Sequence, residues 1–404
     1  MAQSTACAAD VIVQTGDSLA SIAGRNFGDA AAYTRIVEAT NAQATRDASY
    51  ARIADAGLIQ VGWKLCIPAT TPATTPAVSP ARLGSLIHTE DANALIAALS
   101  GAFDPAQIRA LAIPTMRARG YPASAIVIEQ TLPPGTNYTQ SIVSYRSEGL
   151  KLYALMTVPT APQPATGWPV IVFNHGYVPP ERYRATERYE VHIAALARNG
   201  YLVLRPDYRG HGNSEGSAAG GYTGPAYTVD VLNAVAAIRT YAAADPDRIG
   251  MWGHSLGGMI TLRSMVLDDG IKAGVIWSGV VVAVPDLLSL LDFSPAPLPA
   301  SVFRFRDQLF GEFGTPQTNP TFWNAISPNN FLGDLSGPLQ LHHGTGDDIV
   351  PPLFSTALAR QVQAAGKNAD LLTYPGDDHN IATNFDTAMA RTVRFFDIHV
   401  KGQE

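Results

Sequence analysis

Apolar positions along the chain fall into two regimes, separated by a stretch with no periodicity. In the first, Val11-Ile12-Val13-Gln14 reads as a short strand running into a Gly16-Asp17-Ser18 turn. Leu19, Ile22 and Ala23 then recur at helical spacing, with Asp17 or Ser18 placed to cap that helix. A second helical pattern covers residues 31–40 and ends at Asn41, and Gly62-Trp63-Lys64-Leu65-Cys66-Ile67-Pro68 closes the block as a strand that proline stops. Residues 69–82 carry Pro72, Pro76 and Pro80 among Thr and Ala. Proline blocks helix and sheet pairing and the small residues have nothing to bury, so this is an extended spacer. In the second regime, residues 83–99 and 106–119 show helical periodicity with Gly101 and Gly120 as stops, and 126–130, 140–146 and 151–158 read as strands. Glu148-Gly149 is a tight turn joining the last two. From Trp168 onward, apolar strands at 170–173, 201–205, 248–252, 273–276, 339–342 and 370–374 alternate with helices. Continuous apolar strands alternating with helices predict a mainly parallel sheet covered on both faces, an α/β domain over residues 83–404.

Composition narrows the classes. With 46% hydrophobic and 15% charged residues, the chain is core-forming rather than disordered. Lys+Arg 28 against Asp+Glu 34 leaves a net charge of −6, which argues against nucleic acid or an anionic membrane as the main partner. The longest apolar run, around 273–285, is broken by Ser278 and Gly279 and falls short of a membrane span. Cys7 and Cys66 sit near the two ends of the first block. Paired, they would close a loop of about 60 residues, worth roughly 4 kcal/mol. The first residues lack the charged and apolar regions of a signal peptide, yet the Pro/Thr spacer and the cysteine placement favour a secreted or cell-wall protein whose signal has been removed. No His or Cys cluster has metal-ligand spacing and no nucleotide-binding glycine motif follows a strand, so no metal or cofactor is expected.

The chemistry gathers around Gly253-His254-Ser255-Leu256-Gly257-Gly258, a G-x-S-x-G that follows the strand at 248–252 and precedes a helical run. A sharp strand-to-helix turn holds Ser255 out at the carboxyl edge of the sheet, tolerable when its neighbours at 253 and 257 lack side chains. A serine hydroxyl needs a base and a group to orient that base. Of the histidines beyond Ser255, His342 and His343 precede the candidate acids and His399 lies in a final helix at 392–400, which leaves His379 as the base. The acid is one of Asp347, Asp348, Asp377 and Asp378. Backbone N–H groups of Leu256 and, after the strand at 170–173, of Tyr177 would form the oxyanion hole. His175, His211 and His254 are expected to brace loops.

Residues 168–400 resemble the α/β-hydrolase domain of the prolyl-oligopeptidase and acylaminoacyl-peptidase type. The resemblance is carried by Asn174-His175-Gly176-Tyr177, Asp207-Tyr208-Arg209-Gly210-His211-Gly212, Gly253 to Gly258, His343-Gly344-Thr345-Gly346-Asp347-Asp348-Ile349-Val350-Pro351 and Asp378-His379. It implies that Asp347 is the triad acid. The peptidases of that type carry a β-propeller; residues 83–167 do not read as one, and relatives without it are mostly esterases. The resemblance therefore implies a carboxylesterase-type serine hydrolase acting on a small ester, with an exopeptidase using the same triad as the alternative and a glycan-binding wall protein as a remoter one. Residues 284–335, rich in Phe and Leu, read as a cap insertion: Leu287, Leu288, Leu290, Leu291, Phe293, Phe303, Phe305, Leu309, Phe310, Phe313 and Trp323 would pack it, a few lining an apolar acyl pocket, with Trp277 as a second wall.

Residues 1–68 resemble the LysM module in Val13, Gly16, Asp17, Ser18, Leu19, Ile22, Ala23, Asn41, Ile59, Gly62, Leu65, Ile67 and Pro68, departing by a longer stretch between Asn41 and Leu58. That resemblance implies a groove for peptidoglycan or chitin-like glycan between Gly16, Asp17 and Ser18 on one side and Leu58, Ile59 and Gln60 on the other.

Overall fold

The two ends of the first block meet: strand β1 (Cys7–Ile12) pairs antiparallel with β2 (Lys64–Pro68). The computed structural model describes residues 7–14, 17–27, 33–53, 59–68, 103–218, 220–289 and 298–403, and the chain divides into two units, Met1–Ser79 and Pro80–Glu404. In the first, helices α1 (Leu19–Phe27) and α2 (Tyr33–Ala44) bury Ile22, Ala23 and Ile36 with Leu65 of β2. Ser18 is the residue that caps α1, its Oγ accepting from Ser21 N at 3.0 Å. Helix α2 runs past Asn41, where the periodicity ended it. The Asn41 amide accepts from Ile53 N (2.8 Å) and donates to Ile53 O (2.9 Å), so its side chain is spent on a neighbouring loop instead of competing with the helix. A disulfide joins Cys7 to Cys66, with Cα atoms 5.3 Å apart. The spacer at 69–82, the helical run at 83–99, Gly16, Leu58, Leu290, Leu291 and Phe293 lie outside the described residues.

The second unit is built on one nine-stranded sheet of β3 (Val127–Leu132), β4 (Tyr138–Ser147), β5 (Leu150–Pro159), β6 (Trp168–Asn174), β7 (Leu202–Pro206), β8 (Ala244–His254), β9 (Ile271–Trp277), β10 (Leu339–Gly344) and β11 (Ala369–Tyr374). Its order is β11-β10-β9-β8-β6-β7-β5-β4-β3; the six strands from β6 to β11 run parallel, and β5, β4 and β3 add antiparallel at one side. Along β6, Val170 and Val172 point into one core while Ile171 and Phe173 point into the other, the two-sided burial that an apolar run demands. Helices α5 (Glu190–Arg198) and α12 (Phe385–His399) cover one face; α6 (Ala226–Ile238), α7 (Leu256–Met265) and α11 (Leu353–Ala364) cover the other. Strand β6 lies between β7 and β8, so the chain reverses its direction of travel across the sheet there, and the carboxyl ends of β6 and β8 open a crevice of the kind that holds ligands.

Ahead of the sheet, the helical run at 106–119 is two short helices, α3 (Pro105–Ala110) and α4 (Ile113–Arg117). Pro114 explains the break, since it lacks an N–H and its ring would clash with the carbonyl of Ala110 in a continuous helix. Helix α12 begins at Phe385, well before the run at 392–400. Between β9 and β10, helices α8 (Val284–Ser289), α9 (Ala300–Phe313) and α10 (Pro320–Ile326) form a separate apolar cluster with Ile108 and Leu111 of the α3 segment. None of the described helices is long and apolar enough to cross a membrane.

Candidate active site

Ser255 stands between β8 and α7 with φ 54° and ψ −119°, a left-handed conformation costing about 1–3 kcal/mol for a residue with a side chain. The glycines around it are required. A Cβ on Gly253 would stand 2.3 Å from Gly257 O, and one on Gly257 would stand 2.0 Å from Asn174 O. The close approach of β6, β8 and α7 therefore forces the serine into the turn. Its Oγ is buried and makes no hydrogen bond, leaving the hydroxyl uncommitted. Leu256 is the first residue of α7, where an N–H has no intrahelical acceptor and the helix end favours negative charge. The loop after β6 presses on the same point: a Cβ on Gly176 would lie 3.3 Å from Ser255 Cβ, which places the Gly176-Tyr177 backbone beside Ser255.

Asp347 and His379 meet directly, Nδ1 of the imidazole lying 2.8 Å from Asp347 Oδ2. Asp347 Oδ1 accepts from Ile349 N and Val350 N, each at 2.9 Å. A third side chain, not foreseen in the sequence, completes this arrangement. His343, wholly buried at the end of β10, brings Nε2 to 3.0 Å from Asp347 Oδ2 and 2.8 Å from Val350 O. A carbonyl only accepts, so Nε2 carries the proton, and in the neutral ring Nδ1 takes the Ser355 hydroxyl at 2.7 Å. Burial alone would raise the Asp347 carboxyl, but hydrogen bonds from His343 and His379 outweigh it and hold the group well below the usual carboxylate range. The other candidate acids face elsewhere. Asp348 is exposed; Asp377 accepts from Asp378 N, Thr383 N and Asn384 N, and Asp378 from Asn380 N and Ala382 N, which shapes the loop bearing His379.

His254 links the loops. Its Nε2 donates to His379 O at 3.0 Å, and its Nδ1 lies 2.8 Å from the Tyr189 hydroxyl, which in turn accepts Gly176 N–H at 3.0 Å. One hydrogen-bond chain thus runs from the Gly176 loop through Tyr189 and His254 to the backbone of His379, passing beside Ser255. Burial drives the His254 imidazole well below its ordinary value, so it works as a neutral connector. His175 stacks on Tyr208 at 4.2 Å and donates from Nδ1 to Gly176 O at 2.7 Å; His211 lies edge-on to Tyr183 and Tyr227.

A largely apolar cleft adjoins the elbow. Val280, one of its walls, donates its N–H to Ser255 O at 3.1 Å, and Met259 of α7 is another. Leu287, Leu288, Phe305, Leu309 and Trp323 of the insertion close it from outside. Trp277 is not a wall: it is fully buried against Trp252 and His342, its indole N–H donating to Thr392 Oγ1 at 3.1 Å. Among the described residues no group of three or more His, Cys, Asp or Glu is placed to hold a metal ion. In the first unit, Asp17 accepts from Gln14 N (3.0 Å) and Arg25 (2.6 Å), Ile59 packs on the core, and Gln60 is exposed.

The family model described as the prolyl oligopeptidase family matches residues 187–403, over half of the chain. The chain belongs to the prolyl oligopeptidase family. This family member also carries a LysM domain, matched over residues 11–68. A probable dipeptidyl-aminopeptidase B of Coccidioides posadasii is 26% identical over 256 residues, which is 60% of this chain and 26% of that protein. The chain thus spans about a quarter of the length of the curated relatives it matches. Among solved structures, acetyl xylan esterase 1 from Thermoanaerobacterium shares the fold at 16% identity (TM-score 0.54, 80% of this chain and 98% of that one). The acylaminoacyl peptidase of Pyrococcus horikoshii does so at 22% identity (TM-score 0.53, 67% and 43%).

Proposed function

We propose that this prolyl oligopeptidase family member hydrolyses carboxylic esters through an acyl-enzyme on Ser255, and that its LysM domain holds it to peptidoglycan or chitin-like glycan outside the cell. Ser255 Oγ attacks the ester carbonyl while His379 Nε2 takes the hydroxyl proton, and Asp347 orients and stabilises the resulting imidazolium. The carbonyl oxygen, now an anion, rests on the N–H groups of Leu256 and Tyr177. Collapse breaks the bond to the alcohol oxygen, which leaves with the proton from His379. Water, deprotonated by the same base, then releases the acid and restores Ser255.

The observation that carries the choice of ester over peptide is the cleft beside the elbow. Among the described residues no carboxylate lines it, and its one charged group is a cation, so a peptide's amino terminus would find no counter-ion there. An uncharged acyl chain meets Val, Leu, Phe and Trp instead. The second reading, an exopeptidase with the same triad, is favoured by the relatives named dipeptidyl-aminopeptidase B. Comparing p-nitrophenyl esters with aminoacyl and acyl-peptide anilides separates the two. The ester reading expects faster turnover of the esters and a loss on the order of 10⁴-fold or more in Ser255→Ala. Faster cleavage of the anilides would overturn it. Retention on insoluble peptidoglycan or chitin, compared between the full chain and one lacking residues 1–68, tests the anchoring.

A further inference from the structure

Among the described residues, the single charged group in the wall of the cleft is Arg263. It lies on α7 eight residues beyond Ser255, about 12 Å along the helix axis. The residue is 2% exposed. Its Nη1 donates to Leu111 O at 2.7 Å and its Nη2 to Ile326 O at 2.9 Å, and no carboxylate among the described residues pairs with it. Burial draws the guanidinium down to about 10, so it remains a cation at neutral pH. Two carbonyls need only two neutral donors, which a glutamine amide supplies. The positive charge is therefore surplus to the clamp between Leu111 and Ile326, and a buried cation without a counter-ion costs several kcal/mol. Around it the cleft is aliphatic and aromatic, with Tyr222 and Thr223 as the hydroxyls among its described residues.

Resting on the esterase reading above, we propose that the cleft receives an acyl chain whose far end is a carboxylate: the ester carbonyl sits at Ser255, the methylenes run along Met259, Leu262 and Val280, and the terminal anion meets Arg263. The substrate class is the monoester of a linear dicarboxylic acid of about suberate length, the span set by the rise of α7 between the two residues. A guanidinium fork matches a carboxylate with paired, charge-assisted hydrogen bonds, and an apolar sheath strengthens that attraction by excluding water.

The test compares p-nitrophenyl hemisuberate with p-nitrophenyl octanoate on the full chain, two esters of equal chain length that differ in the terminal charge. The proposal expects kcat/KM for the hemisuberate to be higher by about tenfold or more, and that ratio to fall to one or below in Arg263→Gln, which keeps donors for the two carbonyls. Equal or faster turnover of the octanoate by the unaltered chain overturns the proposal, whatever the variant does. Calorimetry on the Ser255→Ala chain reads the cleft without catalysis: octanoate anion is expected to bind at least tenfold more tightly than 1-octanol. Equal binding overturns the proposal. If neither ester is turned over but octanoate binds selectively, the esterase reading fails and the anion site stands.

Discussion

His343 Nε2 lies 3.0 Å from Asp347 Oδ2, the same carboxylate oxygen that His379 Nδ1 reaches at 2.8 Å. Two imidazoles therefore share one oxygen, and the donor from His343 draws off charge that would otherwise stabilise the His379 imidazolium. In His343→Leu that competition ends, and the acid limb of the kcat/KM–pH profile is expected to move. His343→Gln, which restores a donor, is expected to recover most of the shift. The other groups around His379 are His254, held neutral by burial, and Asp377 and Asp378, whose oxygens are engaged with loop amides. A loss of active fraction with an unmoved profile would show that His343 only supports packing.

The chain from Gly176 through Tyr189 to His254 predicts a second phenotype. Tyr189→Phe removes the acceptor for Gly176 N–H and the partner of His254 Nδ1. A buried polar group stripped of its partner costs about 1–3 kcal/mol. Unfolding by denaturant should register that loss, and kcat should fall about tenfold through misplacement of the Tyr177 N–H. An unchanged kcat would remove the chain from the account of oxyanion binding.

Buried histidines set the pH dependence of stability. Burial holds His192 and His342 near 3 and pushes His175 and His254 well below their ordinary value. Unfolded imidazoles titrate near 6.5, so as pH falls the unfolded chain takes up protons first. Stability that is full above about 6.5 is lost progressively below it, about 2 kcal/mol per such histidine at pH 5. Asp207, raised to about 6 by burial, works the other way, its contribution growing as pH falls from about 6 toward 4. His211 and His399, also lowered by burial, act with these four, and Asp286 and Asp370, also raised by burial, act with Asp207. Six imidazoles against three carboxyls give the sign: Tm is expected to drop between pH 7 and pH 5, and a flat or rising Tm would contradict it.

The disulfide between Cys7 and Cys66 closes most of the LysM domain into one loop. Reduction should lower the stability of that domain by roughly 4 kcal/mol. Hydrogen exchange in residues 11–68 before and after reduction measures it, and unchanged protection would refute it.

Much of this architecture could be read from the chain before any coordinates. The apolar strands from Val170 to Tyr374 announce themselves because a strand buried on both faces needs no polar positions, and Ser255 because its glycines are sterically obligatory. Helix limits were less legible. Pro114 broke a periodic run, and Asn41 failed to end one because its amide found a partner twelve residues away. His343 and Tyr189 were missed for a different reason. His343 opens the motif that ends at Pro351, but nothing in that motif says what its imidazole bonds, and Tyr189 lies in no motif; each acts through partners that only the folded sheet brings near. Chain order placed His343 ahead of the candidate acids and so excluded it as the base, without hinting that it could serve the acid instead.

The inner wall of the cleft comes from α7 beside Ser255, but its outer walls come from other stretches of chain. Ser255, Asp347, His379 and the Tyr177 loop stand at strand ends tied to one another, whereas much of the outer enclosure belongs to residues 105–111, 284–289 and 298–328. Evolution can therefore rewrite what this site admits by lengthening, shortening or exchanging those segments, leaving the strand ends and their ties as an inherited constant.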